Sequence, residues 1–340
     1  MGWADLESVA AAMVAADKGI LAADESSGTI KKRFDKIALE STAEARRSYR
    51  ELLFTTPGMA KSISGVILYD ETLRQKSSSG VPFPEYLEKL GVLPGIKVDT
   101  GAKPMAGFPR ETITEGLDGL RERLVEYHQL GARFAKWRAV IDIGGGIPTA
   151  YAIHANAHAL ARYAALCQEQ GIVPIVEPEV LMDGAHDIER CEEVTGAVLT
   201  EVFQQLAGHR IYLEGMVLKP NMVISGKQCP QRASPEQVAA ASVRCLKRHV
   251  PSAVPGIAFL SGGQSPAEAT LHLSLMNAMG RLPWQLSFSY GRALQDAALS
   301  AWGGKPAGVE AGQREFGKWA QLNGLARSGR FKPGMDTQAA

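Results

Sequence analysis

Apolar positions along the 340 residues fall into short runs separated by longer stretches of helical period. The runs are "GILAAD" (19–24), "SGVILYDE" (64–71), "GIKVD" (95–99), "RFAKWRAVID" (133–142), "GIVPIVEPEV" (171–180), "EGMVLKP" (214–220), "GIAFLSGG" (256–263) and "QLSFSYG" (285–291). Each has the length and the β-branched content of a buried strand. Stretches such as "TEGLDGLRERLVEYHQLG" and "TAYAIHANAHALARYAALCQEQG" read as helices ending on the glycine that a helix C-terminus favours. Strand and helix in alternation predict a parallel sheet, and eight such units favour a closed (β/α)₈ barrel over an open doubly wound sheet. The turn after the first strand, "ADESSGT", lacks the G-x-G-x-x-G of a dinucleotide fold.

Three segments lie outside the eight units. Residues 1–18 and 24–54 are expected to be helices packed around the barrel entrance, and 309–327 a final helix. The tail, 328–340, has few apolar residues and is expected to be mobile. Nothing in the chain resembles a linker, so residues 1–340 are expected to form one domain.

Composition narrows the function. The 37 basic and 36 acidic residues leave a net charge of +1, without the basic excess of a nucleic-acid or membrane-surface binder. The N-terminus is too acidic for a secretory or transit peptide, and no apolar run approaches the roughly 20 residues of a membrane span. Cys167, Cys191, Cys229 and Cys245 form no C-x-x-C pair and read as free thiols. A cytoplasmic location is expected.

Several strands carry charge where a buried strand should not. Asp24 ends the first, Lys97 lies in the third, Lys136 and Arg138 share a face of the fourth, Glu177 and Glu179 share a face of the fifth, and Lys219 ends the sixth. In a barrel these positions converge on the mouth, where active sites sit. A buried ion-pair network that only fixes the barrel is the alternative. Each buried charge costs several kcal/mol, so seven of them are more easily explained by chemistry. Lys219 is bordered by Met216, Val217, Leu218, Pro220 and Met222. A desolvated amine beside other cations gives up its proton readily and attacks a carbonyl, and nearby glutamates can shuttle the protons. Lys219 is therefore read as a Schiff-base lysine.

The last two strands end in "LSGGQS" (260–265) and "SYGRAL" (289–294), where small residues and one arginine suit a phosphate. The segment "ESSGTIKKR" adds Ser26, Thr29 and Arg33, which with Lys97 suggest a second anion site across the mouth; a capped helix with a solvated basic face is the alternative. His154 and His158 have a zinc-compatible spacing but no third ligand nearby, and are read as structural.

The blocks "LAADESSGTIKKR", "GVILYDETL", "FAKWR", "GIVPIVEPE", "YLEGMVLKPNMV", "FLSGGQS" and "FSYGRALQ" closely resemble class I fructose-bisphosphate aldolases, over about Leu21 to Trp302. The resemblance implies a metal-free, cofactor-free lyase of glycolysis and gluconeogenesis that reversibly cleaves fructose 1,6-bisphosphate through a lysine Schiff base. It implies Lys219 as the imine lysine, Glu177 as acid/base and Asp24 as acceptor of the C4-hydroxyl proton, with Lys136 and Glu179 in support. It implies Ser261, Gly262, Gly263, Ser289, Gly291 and Arg292 on the C1 phosphate, and Arg33, Lys97, Ser26 and Thr29 on the C6 phosphate, with Arg138 also among the substrate-binding residues. A homotetramer is implied as well, and some relatives bind cytoskeletal filaments. Sedoheptulose 1,7-bisphosphate and fructose 1-phosphate remain alternative substrates, and a non-catalytic scaffold on the same barrel the alternative of another class. Many family members carry a terminal tyrosine where this chain reads "MDTQAA", and a lysine where it has Thr100. The first difference bears on the late protonation step, and both bear on the choice between bisphosphate and monophosphate.

Overall fold

The computed structural model describes residues 2–338. Eight parallel strands close into a barrel: β1 Gly19–Ala23, β2 Ile63–Leu68, β3 Leu93–Lys97, β4 Phe134–Ile141, β5 Val173–Val180, β6 Val217–Leu218, β7 Gly256–Phe259 and β8 Gln285–Tyr290. Each pairs with its neighbours in sequence, and β8 closes on β1 through Ile20↔Ser289 and Leu21↔Tyr290. The (β/α)₈ barrel expected from the alternation is present, and the helix foreseen over 309–327 spans Val309–Arg327.

Side chains alternate across each strand with period two. Ala135, Trp137 and Ala139 of β4 pack outward on the helices, whereas Phe134 joins Ile20, Ile67, Val173, Ile175, Val217 and Ala258 in a separate apolar cluster inside the barrel. Continuing up the inward positions, Phe134 gives way to Lys136 and Arg138, Ile175 to Glu177 and Glu179, and Val217 to Lys219. The interior is oily at the bottom and charged at the top. Gly95 of β3 exists for this packing: a Cβ there would stand 2.2 Å from the Phe134 ring.

The N-terminal segment corrects one expectation. The helix Trp3–Met13 does not pack around the entrance but stops the opposite end of the barrel. Leu6, Ala10, Met13 and Val14 belong to the interior apolar cluster, Ser64 Oγ donates to the Met13 carbonyl at 2.6 Å, and Val14 lies over Gly256 at the start of β7. Its buried face of Leu6, Ala10 and Met13 supplies the apolar plug that a barrel floor requires. The helices Ser27–Phe34 and Ala43–Phe54 follow the C-terminal end of β1 and do lie at the mouth.

Two further differences concern β3 and the tail. β3 begins two residues earlier than expected and hands over, through Val98 and Asp99, to an antiparallel hairpin, Gly101–Pro104 with Thr112–Glu115. Thr112 and Thr114 donate from the hairpin to the carbonyls of Val140 and Arg138, so it caps the upper end of β4. In the tail, Phe331 is buried and its carbonyl accepts from Ser274 Oγ at 2.9 Å, which anchors the segment that far. Residues 339 and 340 lie outside the described residues. Among those described, no helix is long and apolar enough to cross a membrane.

Candidate active site

The inward charges of β1, β4, β5 and β6 form one chain of contacts. Lys219 Nζ lies 3.1 Å from Glu177 Oε1, Glu177 Oε2 lies 3.2 Å from Lys136 Nζ, and Lys136 Nζ lies 2.7 Å from Asp24 Oδ2. All four are at least largely buried, with side-chain exposures of 4, 4, 5 and 12% in that order along the chain. Cations and carboxylates alternate, so each buried charge has an opposite neighbour, as desolvation requires. Arg138 and Glu179, on the adjoining strands, close a further pair through Nε and Oε2.

The electrostatics follow from that alternation. Burial alone would raise the Asp24 carboxyl, but Lys136, Lys219 and Lys97 outweigh it and hold Asp24 well below the usual carboxylate range. Glu177 is likewise opposed by burial and pulled down by Lys136, Lys219 and Arg138. Lys136 is raised, because Asp24 and Glu177 overcome the burial that would lower it. At neutral pH, Lys136 is a fixed cation between two anions. The Glu177 carboxylate is the group in direct contact with the Lys219 amine.

A cavity of about 430 Å³ opens above this chain. Its walls include Asp24, Ser26, Thr29, Arg33, Lys97, Lys136, Arg138, Glu177, Glu179, Lys219, Ser261, Gly262, Ser289, Gly291 and Arg292, every candidate residue except Gly263. Gly263 shapes the loop from behind: its φ is +75°, and a Cβ would meet the Met182 side chain at 2.1 Å. On the wall formed by β7 and β8, the Ser289 hydroxyl is buried with no partner among the described residues, and Arg292 opens the helix Arg292–Trp302. An orphaned hydroxyl, a helix N-terminus and a guanidinium facing one space suit an oxyanion.

The second group of candidates is arranged less simply than the spacing suggested. Ser26 caps its helix, receiving the Thr29 N–H, and the two hydroxyls lie 3.1 Å apart. Lys97 turns onto Asp99, with Nζ 2.6 Å from Oδ1 and 2.7 Å from the Asp99 carbonyl. Arg33 does not stand apart across the mouth: its Nη2 is 3.6 Å from where a Cβ on Gly291 would lie, which sets it beside the loop after β8. Arg33 therefore stands between the two groups of candidate residues. Thr100 is exposed at the start of the hairpin and does not line the cavity.

Five residues of the site escaped the strand-end argument. Lys32 and Lys36 line the cavity with Arg33; the spacing 26, 29, 33, 36 was the available signal for Lys36, in the turn just after the helix, and Lys32 falls outside it. Glu25 lines it too and pairs with Arg33 and the buried Arg50, while Asp99 holds Lys97 and accepts from the Arg138 N–H. No short-range pattern marks Arg50, whereas Asp99 ends the run "GIKVD" as Asp24 ends "GILAAD", and that was its signal. His154 and His158 face Glu201 and Gln205 on outer helices, away from the mouth. Cys167, Cys191 and Cys245 are buried, Cys229 is partly so, and all four are free.

The family model for class I fructose-bisphosphate aldolase matches residues 5–340. The chain belongs to that family. It is 58% identical over 328 residues to "Probable fructose-bisphosphate aldolase class 1" of Xanthomonas campestris pv. campestris, covering 96% of this chain and 98% of that one. It is 54% identical over 316 residues to "Fructose-bisphosphate aldolase 4, cytosolic" of Arabidopsis thaliana, covering 93% and 80%. A solved structure of fructose-bisphosphate aldolase from Plasmodium falciparum, in complex with TRAP and a small-molecule inhibitor, superposes with a TM-score of 0.96. That match has 50% identity and covers 97% of this chain and 96% of that one. In this class I aldolase, the oily floor and charged mouth of the barrel are the family fold put to use.

Proposed function

We propose that the chain reversibly cleaves fructose 1,6-bisphosphate to dihydroxyacetone phosphate and glyceraldehyde 3-phosphate through an imine on Lys219. The observation that carries this is the chain Lys219–Glu177–Lys136–Asp24, with each contact at 3.2 Å or less. The Lys219 amine adds to the C2 ketone. Glu177, within hydrogen-bond reach of Nζ, gives and takes the protons that let the carbinolamine lose water. Asp24 accepts the C4-hydroxyl proton as the C3–C4 bond breaks, the aldehyde leaves, and the bond pair passes through C2 to the imine nitrogen as an enamine. Protonation at C3 and hydrolysis of the imine then release the second product and restore the amine. Lys136 keeps Asp24 and Glu177 anionic, and Arg138 holds Glu179 beside them.

The cavity's charge supports a bisphosphate. Eight cations and four carboxylates line it, a surplus of four when every group is charged. Two phosphates carry about −3 to −4. Ser261, Gly262, Ser289, Gly291 and Arg292 would hold the C1 phosphate, with Gly263 shaping their loop. Ser26, Thr29, Arg33 and Lys97 would hold the C6 phosphate. The protonated imine serves as electron sink, so neither metal nor cofactor is called for in this scheme. EDTA should leave cleavage intact, and strong inhibition reversed by zinc would contradict the scheme.

Lys32 and Lys36 extend the basic wall outward and favour one second reading, a seven-carbon bisphosphate such as sedoheptulose 1,7-bisphosphate. Relative kcat/KM for the two sugars, measured with purified protein in a coupled assay, decides between them. Undetectable cleavage of either by well-folded protein would revive the scaffold alternative. A cytoplasmic homotetramer is part of the proposal, supported by the family and by the cytosolic plant relative. Sedimentation velocity at micromolar concentration should give four chains per particle.

A further inference from the structure

We infer that Glu25 is a positioning residue, its carboxylate clamped between Arg50 and Arg33 so that the Arg33 guanidinium is fixed against the substrate's phosphate. The inference rests on Arg33 being a phosphate ligand. Glu25 follows Asp24 directly but turns the other way: Asp24 meets Lys136, whereas Glu25 Oε1 lies 2.6 Å from Arg33 Nη1 and Oε2 lies 2.6 Å from Arg50 Nη2. Gln295 Nε2 donates to Glu25 Oε1 at 3.1 Å and to the Ala22 carbonyl at 2.7 Å, and its Oε1 accepts from the Tyr49 hydroxyl at 3.1 Å. The cluster ties the end of β1 to three helices, among them the helix that begins at Arg292.

Two details separate positioning from simple bracing. Arg33 lines the cavity and Arg50 does not, so only one of the two guanidinium groups can reach a ligand. Both contacts to Glu25 are close in distance but off the N–H direction, so Arg33 Nη1, Glu25 Oε2 and Arg50 Nη1 are all buried without an aligned partner among the described residues. The second detail is how the guanidinium is divided: Glu25 holds Nη1 by charge, while Nη2, 3.6 Å from where a Cβ on Gly291 would lie, is turned toward the loop after β8. Two guanidiniums around one carboxylate also leave one net positive charge at the wall. Without the carboxylate the two cations repel, and Arg33 turns toward solvent.

The test is steady-state cleavage of fructose 1,6-bisphosphate by full-length Glu25→Gln, with its melting transition recorded alongside. The expected result is KM raised by roughly tenfold with kcat within about twofold, the signature of lost binding without lost chemistry. Inorganic phosphate should weaken as a competitive inhibitor by a similar factor. An unchanged KM in folded protein, or a fall in kcat at constant KM, would overturn the inference. Should Glu25→Gln not fold, Gln295→Met removes one N–H from the carboxylate while keeping all three charges. It should raise KM by roughly two- to fivefold, and an unchanged KM there overturns the inference equally. Arg33→Ala separates the two layers: KM unmoved by that variant removes Arg33 from the phosphate site, whereas KM raised there but not in Glu25→Gln isolates the failure to Glu25.

Discussion

Arg292 and Ser289 illustrate what a single side chain contributes at this mouth. The guanidinium offers a charged fork and the buried hydroxyl has no partner among the described residues, so both would be completed by the proposed C1 phosphate. A charge-assisted hydrogen bond contributes about 1.5–3 kcal/mol. Arg292→Ala should therefore lower kcat/KM by roughly ten- to a hundredfold. An unchanged value in steady-state assays would remove the loop after β8 from the phosphate site. Lys136 works differently, chiefly through its charge: it sits between Asp24 and Glu177 and keeps both ionised. Replacing it with methionine should depress kcat far more than KM, since the two carboxylates would no longer stay anionic side by side.

At the scale of elements, strand packing and helix polarity each make a testable demand. Gly95 on β3 lies under the fully buried Phe134 ring, and a methyl group at 2.2 Å cannot be relieved by a side-chain swing. Gly95→Ala should cost about 1–3 kcal/mol in denaturant unfolding, and a neutral result would contradict the interior packing of β4 on β3. The helix Pro266–Ala278 buries His272, whose Nδ1 lies 2.6 Å from Gln264 Oε1 in the loop after β7. Burial lowers this imidazole to about 4, Arg232 adding to the effect while Glu268 and Glu236 oppose it. Between pH 6.5 and 4 the unfolded chain binds a proton that the folded one refuses. Stability from this group is complete above 6.5 and falls as pH drops toward 4, by up to roughly 3 kcal/mol. His272→Asn should flatten that part of the pH–stability curve, and an unaltered slope would contradict the burial. Which elements were legible follows the same physics. β4 and β5 announce themselves because both faces are buried and their lengths are bounded by glycine. The hairpin Gly101–Pro104 with Thr112–Glu115 does not, since its strands are short and mostly polar. The first helix was legible as a helix but not in its place, because amphipathic spacing says that a face is covered and not by what. Asp24, Lys136, Glu177 and Lys219 were legible as charges in apolar strands; Glu25 and Arg50 act through contacts between separate elements, and Asp99 both holds its neighbour Lys97 and reaches the distant Arg138 N–H.

The whole molecule concentrates its charge. Net charge is +1 over 340 residues, yet the cavity alone has a surplus of four positive groups. Attraction of a bisphosphate is thus local, and salt should screen it over a Debye length of about 10 Å at 0.1 M. Raising ionic strength from about 0.05 to 0.5 M should increase KM several-fold while leaving kcat nearly constant; a salt-independent KM would mean that the cations face structural partners only. The barrel's division into an apolar floor and a charged mouth leads to one chemical claim, that the Lys219 amine bonds to the substrate. Borohydride added with fructose 1,6-bisphosphate should inactivate the enzyme and leave a secondary amine on Lys219, read by peptide mass spectrometry, while borohydride alone leaves it active. Lys219→Arg keeps the charge but cannot form the imine, so it should bind bisphosphate, take no label and lose nearly all cleavage. A label on Lys136 or Lys97, or no label on any lysine in an active enzyme, would contradict the account.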